Sequence, residues 1–138
     1  MSNVLVKRVI GAYLALVAVV VLAQFVAWPL YVDDHADAAN DTWLILNWFM
    51  AAGLALMLVI TTRAKRSCDA EGGDDDRQWI RANVMFYLTV LLAVAFVPNW
   101  FAAAWGENAN GTVWHVIDTV LPVLFGVQAR RLLRPVSG

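Results

Sequence analysis

The sequence predicts an all-α integral membrane protein: a four-transmembrane-helix bundle forming a single membrane domain over residues 1–138. Three observations predict it. Hydrophobic residues make up 61% of the chain and charged residues 15%, too little polar surface to clothe a water-soluble globule of this size. Four apolar stretches each reach the length of about 20 residues that a helix needs to cross the hydrocarbon core. All ten Lys and Arg residues lie at the same three places between or beside those stretches.

The first span runs from about Val9 to Val32, after Lys7 and Arg8. Its apolar region is far longer than the roughly 7–15 residues of a cleaved signal peptide, so it is expected to be retained. The second runs from about Thr42 to Thr62 and stops at Arg63, Lys65 and Arg66. A polar loop, about 63–81, contains Gly72-Gly73 and Asp74-Asp75-Asp76 and is expected to be a flexible linker. The third span covers about Ala82 to Trp105, and the fourth about Thr112 to Arg130, where Arg130-Arg131 ends it. No span core carries Lys or Arg, each of which costs about 2.5–3.5 kcal/mol at a helix centre.

Basic residues are retained on the cytoplasmic side. Lys7, Arg8, Arg63, Lys65, Arg66, Arg77, Arg81, Arg130, Arg131 and Arg134 occupy the N-terminus, the middle loop and the C-terminus. The other two loops hold Asp33, Asp34, Asp37, Asp41 and Glu107 without a basic residue. This segregation requires an even number of spans and predicts an N-in, C-in protein of a bacterial-type inner (plasma) membrane. The net charge of -1 gives no reason to expect a nucleic-acid partner. The single Cys68 excludes an intrachain disulfide and paired-thiol chemistry.

An internal repeat is expected. Ala39-Asn40-Asp41-Thr42 opens the second span and Ala109-Asn110-Gly111-Thr112 the fourth. Trp43 and Trp114 follow, with Asn47 and Asp118 four residues after each. Pro29 and Pro98 lie near the ends of the preceding spans, and Tyr13-Leu14 matches Tyr87-Leu88. The pattern predicts two parallel helical hairpins related by an axis along the membrane normal. Asn40 and Asn110 head Asn-x-Thr tripeptides, which read better as helix caps than as glycosylation sites.

Polar residues inside spans are the best functional pointers in such a chain. Gln24, Asn47, Asn99, His115, Asp118 and Thr119 all fall in the outer halves of their spans. His115, Asp118, Thr119 and Pro122 follow i, i+3, i+4, i+7 spacing and are expected to share one helix face. Asp118 is the only acidic residue within a span, with His115 and Asn47 as its expected partners. This layer is read as interhelical or partner-facing hydrogen bonding, or as a ligand pocket. A further alternative is a metal ion at the extracytoplasmic face, held by His35, Asp33, Asp34, Asp37, His115 and Asp118. Trp28, Trp43, Trp48, Trp100, Trp105 and Trp114 form an interfacial aromatic belt at the same end.

No nucleophile–base set, phosphate loop or CxxC motif is present, so a self-sufficient enzyme is not expected. The expected function is a small accessory or scaffold subunit of a larger membrane complex, such as a membrane metalloenzyme or respiratory assembly. Its partners are then other membrane subunits, or copies of itself, and the lipid bilayer. The alternatives are a small homo-oligomeric transporter or ion pathway using Asp118, and the metal site.

Overall fold

The computed structural model describes residues 3–135; residues 1–2 and 136–138, at the ends of the expected domain, lie outside the described residues. The fold is all-helical: α1 (Asn3–Tyr31), α2 (Ala36–Ala70), α3 (Asp76–Trp105) and α4 (Gly111–Leu133). All four are long and apolar enough to cross a membrane, and they suggest an integral membrane protein.

The helices outrun the apolar stretches that mark them. α2 has 35 residues, which at about 1.5 Å per residue is roughly 52 Å, well beyond the roughly 30 Å hydrocarbon core. The surplus is polar sequence: most of the expected flexible linker is helical, and only residues 71–75 turn the chain. The extension is held by its own side chains. Lys65 Nζ donates to Asp69 Oδ2 at 2.6 Å, one turn on, and Trp79 Nε1 donates to Asp69 Oδ1 at 3.1 Å across the turn. The hydrogen bond from Lys65 holds the exposed Asp69 carboxyl below its usual range, assisted by the bond from Trp79. Gly72 and Gly73 take φ of +78° and +72°, a region that other residues rarely enter. Asp75 then caps α3 by accepting from the Gln78 N–H at 3.2 Å.

The buried positions explain the packing. On α3 they are Ala82, Met85, Thr89, Leu92, Phe96 and Asn99, with Trp100 beside the last, an alternating 3–4 spacing up to Asn99 that suits shallow left-handed helix packing. α4 contributes Ile117, Leu121, Leu124, Phe125 and Ala129, and α1 contributes Leu14, Val17, Ala18 and Val21. The most extensive pairings are α1 with α4 and α2 with α3, rather than the two sequence hairpins. Gly11 explains the first of these. A Cβ there would sit 2.9 Å from Leu133 Cγ and 3.0 Å from Leu132 Cβ, so a larger residue would have to push these side chains aside, and glycine lets the start of α1 lie close against the end of α4.

The outward faces are equally apolar. Leu16, Val19, Leu30, Ile45, Leu91, Val94 and Val123 are all exposed, an arrangement that water would penalise and lipid does not. The start of α1, the end of α2, the start of α3 and the end of α4 meet at one basic end. The other end carries the acidic loops.

Two local expectations differ. Asn110 does cap α4, accepting from the Val113 N–H at 3.1 Å. Asn40, however, lies inside α2, which starts four residues earlier at Ala36 behind His35 and has no side-chain cap. The short turn after Tyr31 leaves no room for an unwound segment reaching to Asn40.

Candidate ligand cleft

Near the acidic end the four helices part around a cleft of about 470 Å³, within the range of small-molecule sites. α1 supplies Phe25 and Trp28, and α3 supplies Ala103. α2 supplies Asn40, Trp43, Leu44 and Asn47, while α4 supplies Gly111, Trp114, His115 and Asp118. Both of the last two sets follow i, i+3, i+4, i+7, one continuous helix face. Trp43 with Trp114 and Asn47 with Asp118 correspond at an offset of 71 residues, whereas the Ala-Asn-x-Thr openings, Asn40 and Asn110 among them, correspond at 70. The matching Trp pair and the matching polar pair thus reach the same space from two helices.

The polar chemistry converges there. Asn47 is 3% exposed and Asp118 5%. Asn47 Oδ1, Asp118 Oδ1 and the Trp28 indole Nε1 are buried, and no protein group hydrogen-bonds to any of them. Each belongs to a residue of the cleft wall. Leaving such a group without a partner costs about 1–3 kcal/mol, so three at one place mark a region not arranged for stability alone. Two prolines add to this. Pro29 and Pro122 have no N–H to donate to the carbonyls of Phe25 and Asp118, four residues earlier.

His115 does not serve as the partner of Asp118. Its Nδ1 lies 2.6 Å from the Gly111 carbonyl, and its ring meets Phe25 edge-on at 5.8 Å. His115 and Asp118 both line the cleft, but the members of the expected polar face differ in burial. Asp118 and Pro122 are buried, while His115 and Thr119 are exposed. Thr119 Oγ1 donates to the His115 carbonyl at 2.6 Å, so its hydroxyl is occupied within its own helix.

Two other members of the expected polar layer hold the local structure instead. Asn99 clamps the α3–α4 connection, its Nδ2 donating to the Asn110 carbonyl at 3.0 Å and its Oδ1 accepting from the Asn110 N–H at 2.7 Å. Gln24 Nε2 donates to the Tyr31 hydroxyl, two turns on along α1.

The candidate metal ligands are not brought together. Among the described residues no group of three His, Cys, Asp or Glu side chains could hold a metal ion. Asp33, Asp34, His35 and Asp37 are exposed around the α1–α2 turn, whereas Asp118 is buried among helices. A carboxylate seven residues into α4 lies about 10 Å below that helix's start, out of line with the rim.

The six tryptophans at this end separate into two groups. Trp28, Trp43 and Trp114 line the cleft. Trp48, Trp100 and Trp105 stack together between α2 and α3, with Trp48 and Trp100 centroids 4.9 Å apart and nearly perpendicular. Sequence reasoning missed Phe25, Leu44 and Ala103 as wall residues, and treated Trp28 as an interfacial anchor rather than a buried donor. The spacing Phe25-x-x-Trp28 was the available signal, since it puts two aromatics on one face of α1. No protein-family model matches the chain, and neither a curated protein nor a solved structure matches it.

Proposed function

We propose that the chain is a membrane protein that binds a lipophilic organic cation in this cleft, with Asp118 as its charge partner, as part of a small transporter. One observation carries the reading: an unpartnered buried carboxylate faces the same cleft as Trp28, Trp43 and Trp114. Indole faces attract cations, most strongly where water is displaced. A carboxylate supplies the countercharge, and an unpaired one in an apolar bundle has a strong requirement for it. Asn47 Oδ1 offers a neutral acceptor beside it, so a ligand with an ammonium N–H gains two contacts at once.

This reading is preferred over an accessory subunit for a geometric reason. A residue layer that engages a partner subunit would lie on the outside of the bundle, yet Asn47 and Asp118 are enclosed by their own helices. The matched faces of α2 and α4 also support the expected two-copy origin, one copy having kept the amide and the other the carboxylate. The segregation of charge between the two ends supports the N-in, C-in orientation, which places the cleft toward the extracytoplasmic side.

The test uses tetraphenylphosphonium and neutral triphenylphosphine oxide with the full chain in mild detergent, read by tryptophan fluorescence and calorimetry. The expected result is saturable binding of the cation alone, weakened about tenfold or more in Asp118→Asn. Equal binding of the neutral compound, or an unchanged affinity in Asp118→Asn, overturns the proposal.

A further inference from the structure

A second cleft, of about 420 Å³, lies at the basic end. Arg77 and Arg81 reach it from the first turns of α3, four residues apart, and Arg131 from the last turn of α4. Ser67 and the buried Cys68 close it from α2. Arg131 is half-buried and lies within electrostatic reach of both Arg81 and Arg134. Like charges held this closely repel one another. Arg77 and Arg81 are themselves exposed.

None of these arginines has an ion-pair partner among the described residues. Among the described residues the one ion pair is Lys65–Asp69, so none of their carboxylates lies within 4.0 Å of Arg77, Arg81 or Arg131. Asp75 also borders the cleft, but its Oδ1 is engaged by the Gln78 N–H as the cap of α3. Three arginines, each bearing a planar fork of N–H donors, line one space against the single carboxylate of Asp75, so positive charge is in excess there. That donor set matches the oxygens of a phosphate group. The cleft also lies where the apolar helix faces give way to polar sequence, the depth of a lipid headgroup.

We propose that the Arg77–Arg81–Arg131 cleft is a binding site for a phosphate-bearing anion, supplied by an anionic lipid headgroup or by a free phosphate compound. The site is independent of the cleft around Asp118 and stands if the organic-cation reading fails.

The test follows the thermal midpoint of the full chain in neutral detergent. Phosphatidylglycerol is added in one arm and inorganic phosphate in the other, with phosphatidylcholine as the reference lipid. A rise with phosphatidylglycerol but not with inorganic phosphate assigns the headgroup, and a rise with inorganic phosphate assigns the free anion. The double variant Arg81→Gln/Arg131→Gln is expected to lose most of the rise, and to weaken the apparent affinity about tenfold or more. Arg63→Gln removes an exposed charge at the same end without touching the cleft and is expected to respond as wild type. If the double variant does not fold, as judged by helical circular dichroism, Arg77→Gln takes its place. No rise in either arm overturns the proposal. So does a rise that Arg63→Gln diminishes as much as the cleft variants do, which would indicate bulk surface charge.

Discussion

The ring of Phe125 on α4 lies directly against Gly53 on α2, two buried residues on helices that otherwise pack little against each other. A Cβ at Gly53 would fall on the ring, 2.7 Å from Cζ. The contact closes the centre of the bundle midway between the polar cleft at one end and the arginine cleft at the other.

Gly53→Ala is therefore expected to destabilise the bundle, although alanine is the better helix former by about 1 kcal/mol. Overpacking at a rigid, fully buried ring costs about 1–3 kcal/mol, so the steric effect outweighs the propensity gain. The thermal midpoint in detergent checks this. Phe125→Leu in the same chain should recover much of the loss, because a shorter side chain vacates the ring's position.

Asn47→Leu should do the reverse, raising the midpoint while weakening the binding of a cation that carries an ammonium N–H. The substitution removes a buried oxygen that no protein group satisfies, worth about 1–3 kcal/mol, and keeps a side chain of similar size. A residue held for function is expected to show this exchange of stability for binding. A lower midpoint together with unchanged binding would contradict the role given to Asn47.

Asn99→Ala is expected to destabilise by about 1–3 kcal/mol, since it strips both bonds from the Asn110 backbone. Amide exchange at Asn110 should accelerate in this variant. Asn99→Asp retains an acceptor for the Asn110 N–H but sets a carboxylate against the Asn110 carbonyl. It should therefore protect the amide without restoring the midpoint.

The turn at the basic end has a pH signature. Asp69 lies beyond the apolar part of α2, and its carboxyl is held below the usual range chiefly by the Lys65 hydrogen bond. A depressed carboxyl contributes order to the turn above its ordinary value of about 3.9 and loses it as pH falls through the lower folded value. Carboxyl carbon shifts in a titration should show Asp69 protonating late. Lys65→Ala should move it back up toward the ordinary value and loosen Trp79, whose indole N–H binds the same carboxylate.

Much of the architecture was legible in the sequence because membrane insertion writes itself into composition. Four unbroken apolar runs bounded by charge define four helices. The polar extensions were not legible. Ser67 to Ala70 reads as a linker, yet it stays helical because Lys65, Asp69 and Trp79 satisfy one another, and Trp79 belongs to the next helix. The cleft was partly legible. Asn47 and Asp118 stood out as polar residues in apolar spans, and their matching positions after Trp43 and Trp114 were visible.

What the sequence could not determine was which groups those side chains meet. His115 and Asp118 share a helix face by spacing and line the same cleft, but only the packing decides that one is exposed and the other buried. Asn99 looks like a member of the polar layer until the α3–α4 turn brings the Asn110 backbone to it. Arg81 and Arg131 are fifty residues apart in the chain, and only the antiparallel pairing of α3 and α4 sets them around one cleft. The sequence by itself determined the spans, the segregation of charge and the identity of the polar residues, because these depend on local composition and length. The tertiary structure decided which of those residues face one another, because rotation and register are set by packing choices such as Gly11 against Leu133 and Gly53 against Phe125, whose partners lie far away in the chain.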